Sequence, residues 1–308
     1  MVAALEEGSK YILGGVSLSV YSNFSSFCSN LDMSADTVSK IQNRYRQITK
    51  RINIDYRNSN SETANSWYVG SYGRGTEIWT SDIDILVHLP NETYHKFNAY
   101  ASNGQSALLQ EVKITLQKTY SNSYIKGDGQ VIGLNFTDGI NFEIVPAFIN
   151  TSGSFTYPDS NNGGSWKVTD PKKEISAMNE KNSVTNGNLK RLCRMMRSWK
   201  GKCDVPISGI LIDTLAYNFI STWPHRDKSY TYYDYMSRDF FRYLKEIDTG
   251  KYYWVSPGSG NIIYNFSNFQ TKAAIAYDNT IKAIDYENRN LPATAKIKWR
   301  EIYGSKFY

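Results

Sequence analysis

Cysteine and histidine are scarce in this sequence, with three of each in 308 residues. Cys28, Cys193 and Cys203 are odd in number and show no CxxC spacing, which argues against a disulfide framework and for free thiols in a reducing cytosol. His88, His95 and His225 lack ligand-like spacing, which argues against a structural zinc site. No apolar run approaches the ~20 residues that span a bilayer. The N-terminus has no basic segment ahead of its apolar patch, which argues against a secretory signal. These absences lead us to expect a cytoplasmic protein without membrane contact. With 41% hydrophobic and 21% charged residues, the chain reads as globular, long enough to bury its core without staples. At about 150 residues per domain it has room for two.

Positive charge is confined rather than general. The net charge is +6, yet residues 165–202 alone hold ten Lys/Arg against three Asp/Glu. A local cationic surface points to a phosphate-bearing partner, a nucleotide or a nucleic acid; it does not describe a coat for long nucleic acids.

Apolar residues Val38, Ile41, Tyr45, Ile48 and Ile52 recur every three or four positions, which predicts one long amphipathic helix over Thr37–Ile54. Strands are expected at Ser66–Val69, Ile83–Leu89, Tyr124–Phe136 and Ile140–Phe148, with a helix over Leu108–Tyr120. The Gly/Ser/Asn-rich stretch Ser152–Ser165 suggests a boundary between residues 1–160, a mixed α/β lobe, and 161–308. Beyond it helical patterns cover 172–181, 188–200, 207–222, 234–247 and 268–288. The aromatic clusters around Tyr230–Tyr235 and Tyr252–Trp254 are expected chiefly to pack, with base stacking as the alternative.

The chemistry-bearing pattern is Gly70-Ser71, ten residues, then Asp82-Ile83-Asp84. Period-two geometry puts both aspartates on one face of a strand, with Ile83 and Ile85 on the other. Adjacent carboxylates repel unless a cation lies between them, and Mg²⁺ favours few carboxylates plus substrate phosphates. Two incidental aspartates at a solvated strand end are the plainer alternative. Glu143, alone amid Phe142, Ile144 and Val145, is the candidate third carboxylate; an edge-strand glutamate is its alternative. The Gly-rich turn Gly70–Thr76 suits close approach to phosphate oxygens, though it is neither a Walker loop nor a dinucleotide fingerprint. Over 188–200, Lys190, Arg194 and Arg197 form a basic stripe opposite an apolar face, either solvated or aimed at a triphosphate.

These motifs, together with Phe142–Ala147, the Arg-x-x-Arg and Trp-Lys of Leu189–Lys200, Ser208 before Leu211-Ile212-Asp213, and Trp299–Gly304, resemble the cGAS- and DncV-like nucleotidyltransferases (CD-NTases), relatives of oligoadenylate synthase. The resemblance implies an α+β, polymerase-β-like core with a long N-terminal spine helix and a mostly helical C-terminal lobe. It implies that Asp82, Asp84 and Glu143 hold two Mg²⁺ ions, with Mn²⁺ as a substitute. Gly70, Ser71, Arg194, Arg197 and Ser208 would contact the donor nucleotide. The implied activity joins nucleoside triphosphates (ATP, GTP or others) into a cyclic di- or trinucleotide in bacterial anti-phage signalling, with effector or regulatory proteins as partners. The Cys/His insertion of the animal DNA sensor is missing, so no DNA requirement is expected. An RNA- or tRNA-directed nucleotidyltransferase and a non-catalytic nucleotide-binding module are the alternatives.

Overall fold

The computed structural model describes residues 14–78 and 82–308. The chain divides into two compact units, Met33–Ser176 and Met1–Asp32 with Ala177–Tyr308. Helix α1 (Gly14–Asn30) belongs to the second. In the first, α2 (Ala35–Arg57) is the long helix expected from the sequence, extended at both ends. Ser34 starts it, its side chain accepting a bond from Thr37 N, and Asn58 ends it with a left-handed φ of 50°.

A seven-stranded mixed sheet follows. It comprises β1 (Ser66–Tyr68), β2 (Ile83–His88), β3 (Tyr124–Asp128), β4 (Val131–Asn135), β5 (Asn141–Ile149), β6 (Phe155–Asp159) and β7 (Ser165–Thr169). Its path runs β1-β2-β5-β4-β3, with β6 added on β5 and β7 on β6. Among the described residues of this sheet only the β2–β5 pairing is parallel. Four helices accompany the sheet: α3 (Gly70–Arg74), α4 (Asn91–Asn98), α5 (Gly104–Gln117) and α6 (Pro171–Val184), which runs on into the second unit. Ile83, Ile85 and Val87 of β2 and Phe142 and Ile144 of β5 bury with Ile41, Ile48 and Ile52 of α2 and Leu108, Val112 and Leu116 of α5. Each such side chain contributes about 1.5–3 kcal/mol through burial. Strand alternation leaves Asp84 and Glu143 on the face turned away from this core.

The sequence reading has no counterpart for α4, β6 or β7, and two of its expectations in this unit are corrected. Tyr124–Phe136 is two strands, because Asp128 pairs with Val131 around Gly129, whose φ is +57°. The polar stretch Ser152–Ser165 is not where the units part; it holds β6 and its turns, and the division falls at Ser176. Asp159 organises those turns. Its carboxylate accepts Lys167 Nζ at 2.5 Å, Gln130 Nε2 at 3.1 Å, and Asn161 N and Nδ2 at 3.0 and 2.8 Å. The bond from Lys167 leads in lowering its pKa to about 2.

The second unit is mainly helical, adding α7 (Asn188–Cys203), α8 (Gly209–Thr222), α9 (Tyr233–Lys245), α10 (Gln270–Asn288) and α11 (Pro292–Tyr303). A hairpin of β8 (Tyr253–Val255) and β9 (Ile262–Tyr264) precedes α10. The sequence reading missed α11, although Ala295, Trp299, Ile302 and Tyr303 bury at helical spacing. Phe24 and Phe27 of α1 meet Trp299, Tyr303 and Phe307, with Phe24 and Trp299 centroids 5.0 Å apart. The expectation that the aromatics pack holds for Tyr233 and Trp254, whereas Tyr252 and Tyr253 stand half exposed. Arg197 of α7 joins Asp213 of α8 in a two-pronged pair at 2.5 and 2.9 Å, with exposures of 7% and 0%. Among the described residues no helix is long and apolar enough to cross a membrane, and no disulfide forms.

Removing one partner of a buried ion pair strands the other charge. Asp213→Ala should therefore cost about 3–5 kcal/mol in denaturant unfolding, and Arg197→Met with Asp213→Leu should recover most of it. For Asp159, a folded-state pKa below that of the unfolded chain stabilises the fold above about pH 4, a contribution lost as pH falls toward 2. The melting-temperature gap between wild type and Asp159→Asn should accordingly be widest near neutrality and close in acid; a gap constant with pH would contradict this role.

Candidate active site

Two carboxylates are brought together by strand register. In the parallel β2–β5 ladder Asp84 is the direct partner of Glu143, as Ile83 is of Phe142. Both sit on the face opposite the core, partly buried, and a side-chain hydrogen bond links them. Burial first, and then the charge of Glu143, push the Asp84 pKa up to about 7. Glu143 is raised as well, by burial and by Asp82. Such a pair favours whatever relieves its repulsion: a shared proton or a cation.

Gly70 fits against Asp84 with no space to spare. Its φ of +59° is one that residues with a side chain rarely adopt, and a Cβ there would fall 1.8 Å from Asp84 Oδ2. The Val69 amide donates to the Asp84 carbonyl at 2.9 Å, which fixes the turn against the strand. Gly73 allows a second close approach, since a Cβ would come within 2.6 Å of the Tyr68 carbonyl. Ser71 lies in this same turn, half buried in the first helical residues after β1.

Asp82, the third expected carboxylate, is not part of the pair. It precedes the first paired residue of β2, is exposed, and accepts a bond from Asn141 Nδ2 at 3.3 Å. Among the described residues no group of three or more Asp, Glu, His or Cys side chains is arranged to hold a metal ion. What the structure offers is a two-carboxylate seat, with Asp82 two residues upstream on the same strand face. An all-oxygen set of this kind suits a hard divalent cation such as Mg²⁺ or Mn²⁺.

Sequence reasoning missed Arg74. This buried side chain pairs with Glu174 at 3.3 Å, and its charge lowers the Asp84 pKa against the burial that raises it. Its place in Gly70–Thr76 was the available signal, since a buried arginine beside buried acids is seldom incidental.

The remaining expected contacts lie in the helical unit. Arg194 Nη1 donates to Asp32 Oδ1 at 2.6 Å, beside Cys28, Arg191 and Tyr230. Arg197, expected to meet phosphate, is instead committed to Asp213 and to the Gly209 carbonyl at 3.1 Å. The basic stripe is real on the helical wheel, but α8 covers its far end. Ser208 caps α8, accepting from Leu211 N at 3.3 Å, next to the Gly209 carbonyl that Arg197 bonds, while Arg194 pairs with Asp32.

Comparison with known proteins bears on the family and the fold. Residues 18–182 match the model of the Second Messenger Oligonucleotide or Dinucleotide Synthetase (SMODS) domain. A Bacillus cereus (strain VD146) protein described as a probable cyclic nucleotide synthase is 28% identical over 178 residues, which are 54% of this chain and 51% of that protein. The chain thus spans about half the length of that curated relative. The Escherichia coli MS115-1 CdnC:HORMA-deltaN complex gives a TM-score of 0.67 at 14% identity, covering 94% of this chain and 98% of the other. The Bradyrhizobium diazoefficiens CD-NTase CdnG, solved with GTP, gives 0.64 at 11% identity, covering 94% and 95%. Vibrio cholerae DncV in its apo form gives 0.64 at 15%, covering 95% and 87%. The fold is therefore the α+β, polymerase-β-like one that the motifs implied, and with more than half its length matched by the family model the chain belongs to the SMODS family.

Proposed function

We propose that this chain is a divalent-metal-dependent nucleotidyltransferase that joins nucleoside triphosphates into a cyclic di- or trinucleotide, releasing pyrophosphate, as a second messenger of bacterial anti-phage defence. The observation that carries this reading is the Asp84–Glu143 pair, two carboxylates held side by side on adjacent parallel strands with nothing from Gly70 to crowd them. Asp84 and Glu143, joined by Asp82, are the residues we assign to two Mg²⁺ ions, or Mn²⁺ in their place. Held there, such ions would supply Lewis-acid activation of an attacking hydroxyl and charge neutralisation for a departing pyrophosphate.

The chain's own groups do the positioning. Gly70, lacking a Cβ, lets the turn lie directly against Asp84 without displacing its carboxylate, and the Gly70–Thr76 turn gives a phosphate chain close access to backbone. Arg74, anchored by Glu174, offsets part of the negative charge of the acids before any ligand arrives. The SMODS match and the cyclic nucleotide synthase relative support a second-messenger product over a tailing activity. A protein regulator is part of the same reading, supported by the capture of CdnC with HORMA-deltaN.

Incubation with all four NTPs and Mg²⁺, phosphatase treatment and mass spectrometry should reveal a resistant species with the mass of a cyclic di- or trinucleotide. Linear products alone would instead indicate a tailing or oligonucleotide transferase. Glu143→Gln and Asp84→Asn should each lower turnover at least a thousandfold, near the upper end for loss of a group acting in the transition state, while leaving the melting temperature within a few degrees. Full turnover in either variant would refute the carboxylate assignment. Gly70→Ala should lose activity about as severely, although it removes no functional group.

A further inference from the structure

The β8–β9 hairpin presents an outer face that an antiparallel ribbon on a helical body rarely has. Trp254 and Ile263 pair across the strands and point inward, buried. The outward pairs are Tyr253 with Tyr264 and Val255 with Ile262, each about half exposed or more. Solvated faces of antiparallel sheets are normally polar; this one is apolar on both sides. Tyr252 and Phe266 extend it, the rings of Tyr252, Phe266 and Tyr264 stacking nearly parallel with interplanar angles of 12° and 3°. Phe266 is 82% exposed although gripped between two tyrosines.

Charge is absent from the same place. From Tyr252 to Thr271 there is no Lys, Arg, Asp, Glu or His, in a chain that carries +6 overall. Lys251 and Lys272 flank the stretch, with Lys251 Nζ 5.6 Å from the Trp254 ring centroid, but the six outward residues themselves carry no charge. The matching surface is another uncharged, aromatic one. With free aromatic side chains presenting about 150–250 Å² each, the six residues leave roughly 650 Å² uncovered, near the ~800 Å² per partner of a stable interface. The stacked rings are already ordered, so little rotamer freedom remains to be lost on association.

We propose that this face binds the same face of a second copy of the chain, forming a two-fold dimer through Tyr252, Tyr253, Val255, Ile262, Tyr264 and Phe266. A two-fold interface needs a self-complementary patch, and an uncharged aromatic ribbon meets its own image without like-charge repulsion.

Sedimentation equilibrium of the full chain from low to high micromolar concentration tests this. Wild type should shift from one chain mass to two, and Phe266→Asp with Val255→Asp should weaken association at least a hundredfold while far-UV circular dichroism stays unchanged. A monomer at every concentration overturns the proposal; if that monomer floats with neutral phosphatidylcholine vesicles, the face is a lipid surface instead. Association that ignores the two substitutions also overturns it. Should the variant misfold, amide exchange of the unsubstituted chain decides: protection of 252–266 that grows with concentration supports the dimer, and protection independent of concentration refutes it.

Discussion

The parallel pairing of β2 with β5 is the constraint on which the proposed chemistry rests. In a parallel ladder, neighbours across strands point the same way, so Asp84 and Glu143 stand side by side as soon as Ile85 and Ile144 bury. The core fixes the register, because a slip of β2 by one residue would send Asp84 inward, away from Glu143, and expose Ile83 and Ile85. Hydrophobic burial on one face therefore holds two like charges together on the other. Burial leads in raising the pKa of both groups, the charge of Glu143 adding to it at Asp84 and that of Asp82 at Glu143, while Arg74, paired with Glu174, acts against the rise at Asp84.

Much of this was legible in the sequence. A glutamate alone in an apolar strand and aspartates alternating with isoleucines are period-two signals that need no tertiary information. The spine helix was legible from its 3.6-residue spacing, but its ends were not: the reading Thr37–Ile54 fell short of Ala35–Arg57, whose N-cap Ser34 went unused. What escaped depended on distant partners. Arg74 is buried by Glu174, one hundred residues on, and nothing near it in sequence announces that pairing. Arg197 lies on the same helical stripe as Arg194, and only the packing of α8 over one end separates their fates. Two turn signals, Asp128-Gly129 and the cluster after Ser152, were present but misjudged. A run rich in strand formers hides a tight hairpin, and a polar stretch is a domain boundary only when no sheet edge claims it.

The aromatic residues separate along the same lines. Phe24, Tyr233, Trp299, Tyr303 and Phe307 form a contiguous ring cluster that ties the N-terminal helix to the last residues of the chain. Contacts spanning nearly three hundred positions make this unit costly to nucleate, since loop closure precedes any gain from ring packing. The hairpin tyrosines look identical in composition yet face outward. Residue type alone does not separate a packing aromatic from a presenting one; strand alternation does.

The close fit of Gly70 against Asp84 carries a consequence for reading relatives of this chain. Acid residues are what one counts when judging whether such a site is competent, yet here competence equally requires an atom to be missing. A relative that kept every carboxylate but carried alanine at this position would fill its own site from within, by a single methyl group. On the proposed carboxylate assignment, loss of catalysis can thus arise with the acids intact, and Gly70 belongs in the signature alongside them.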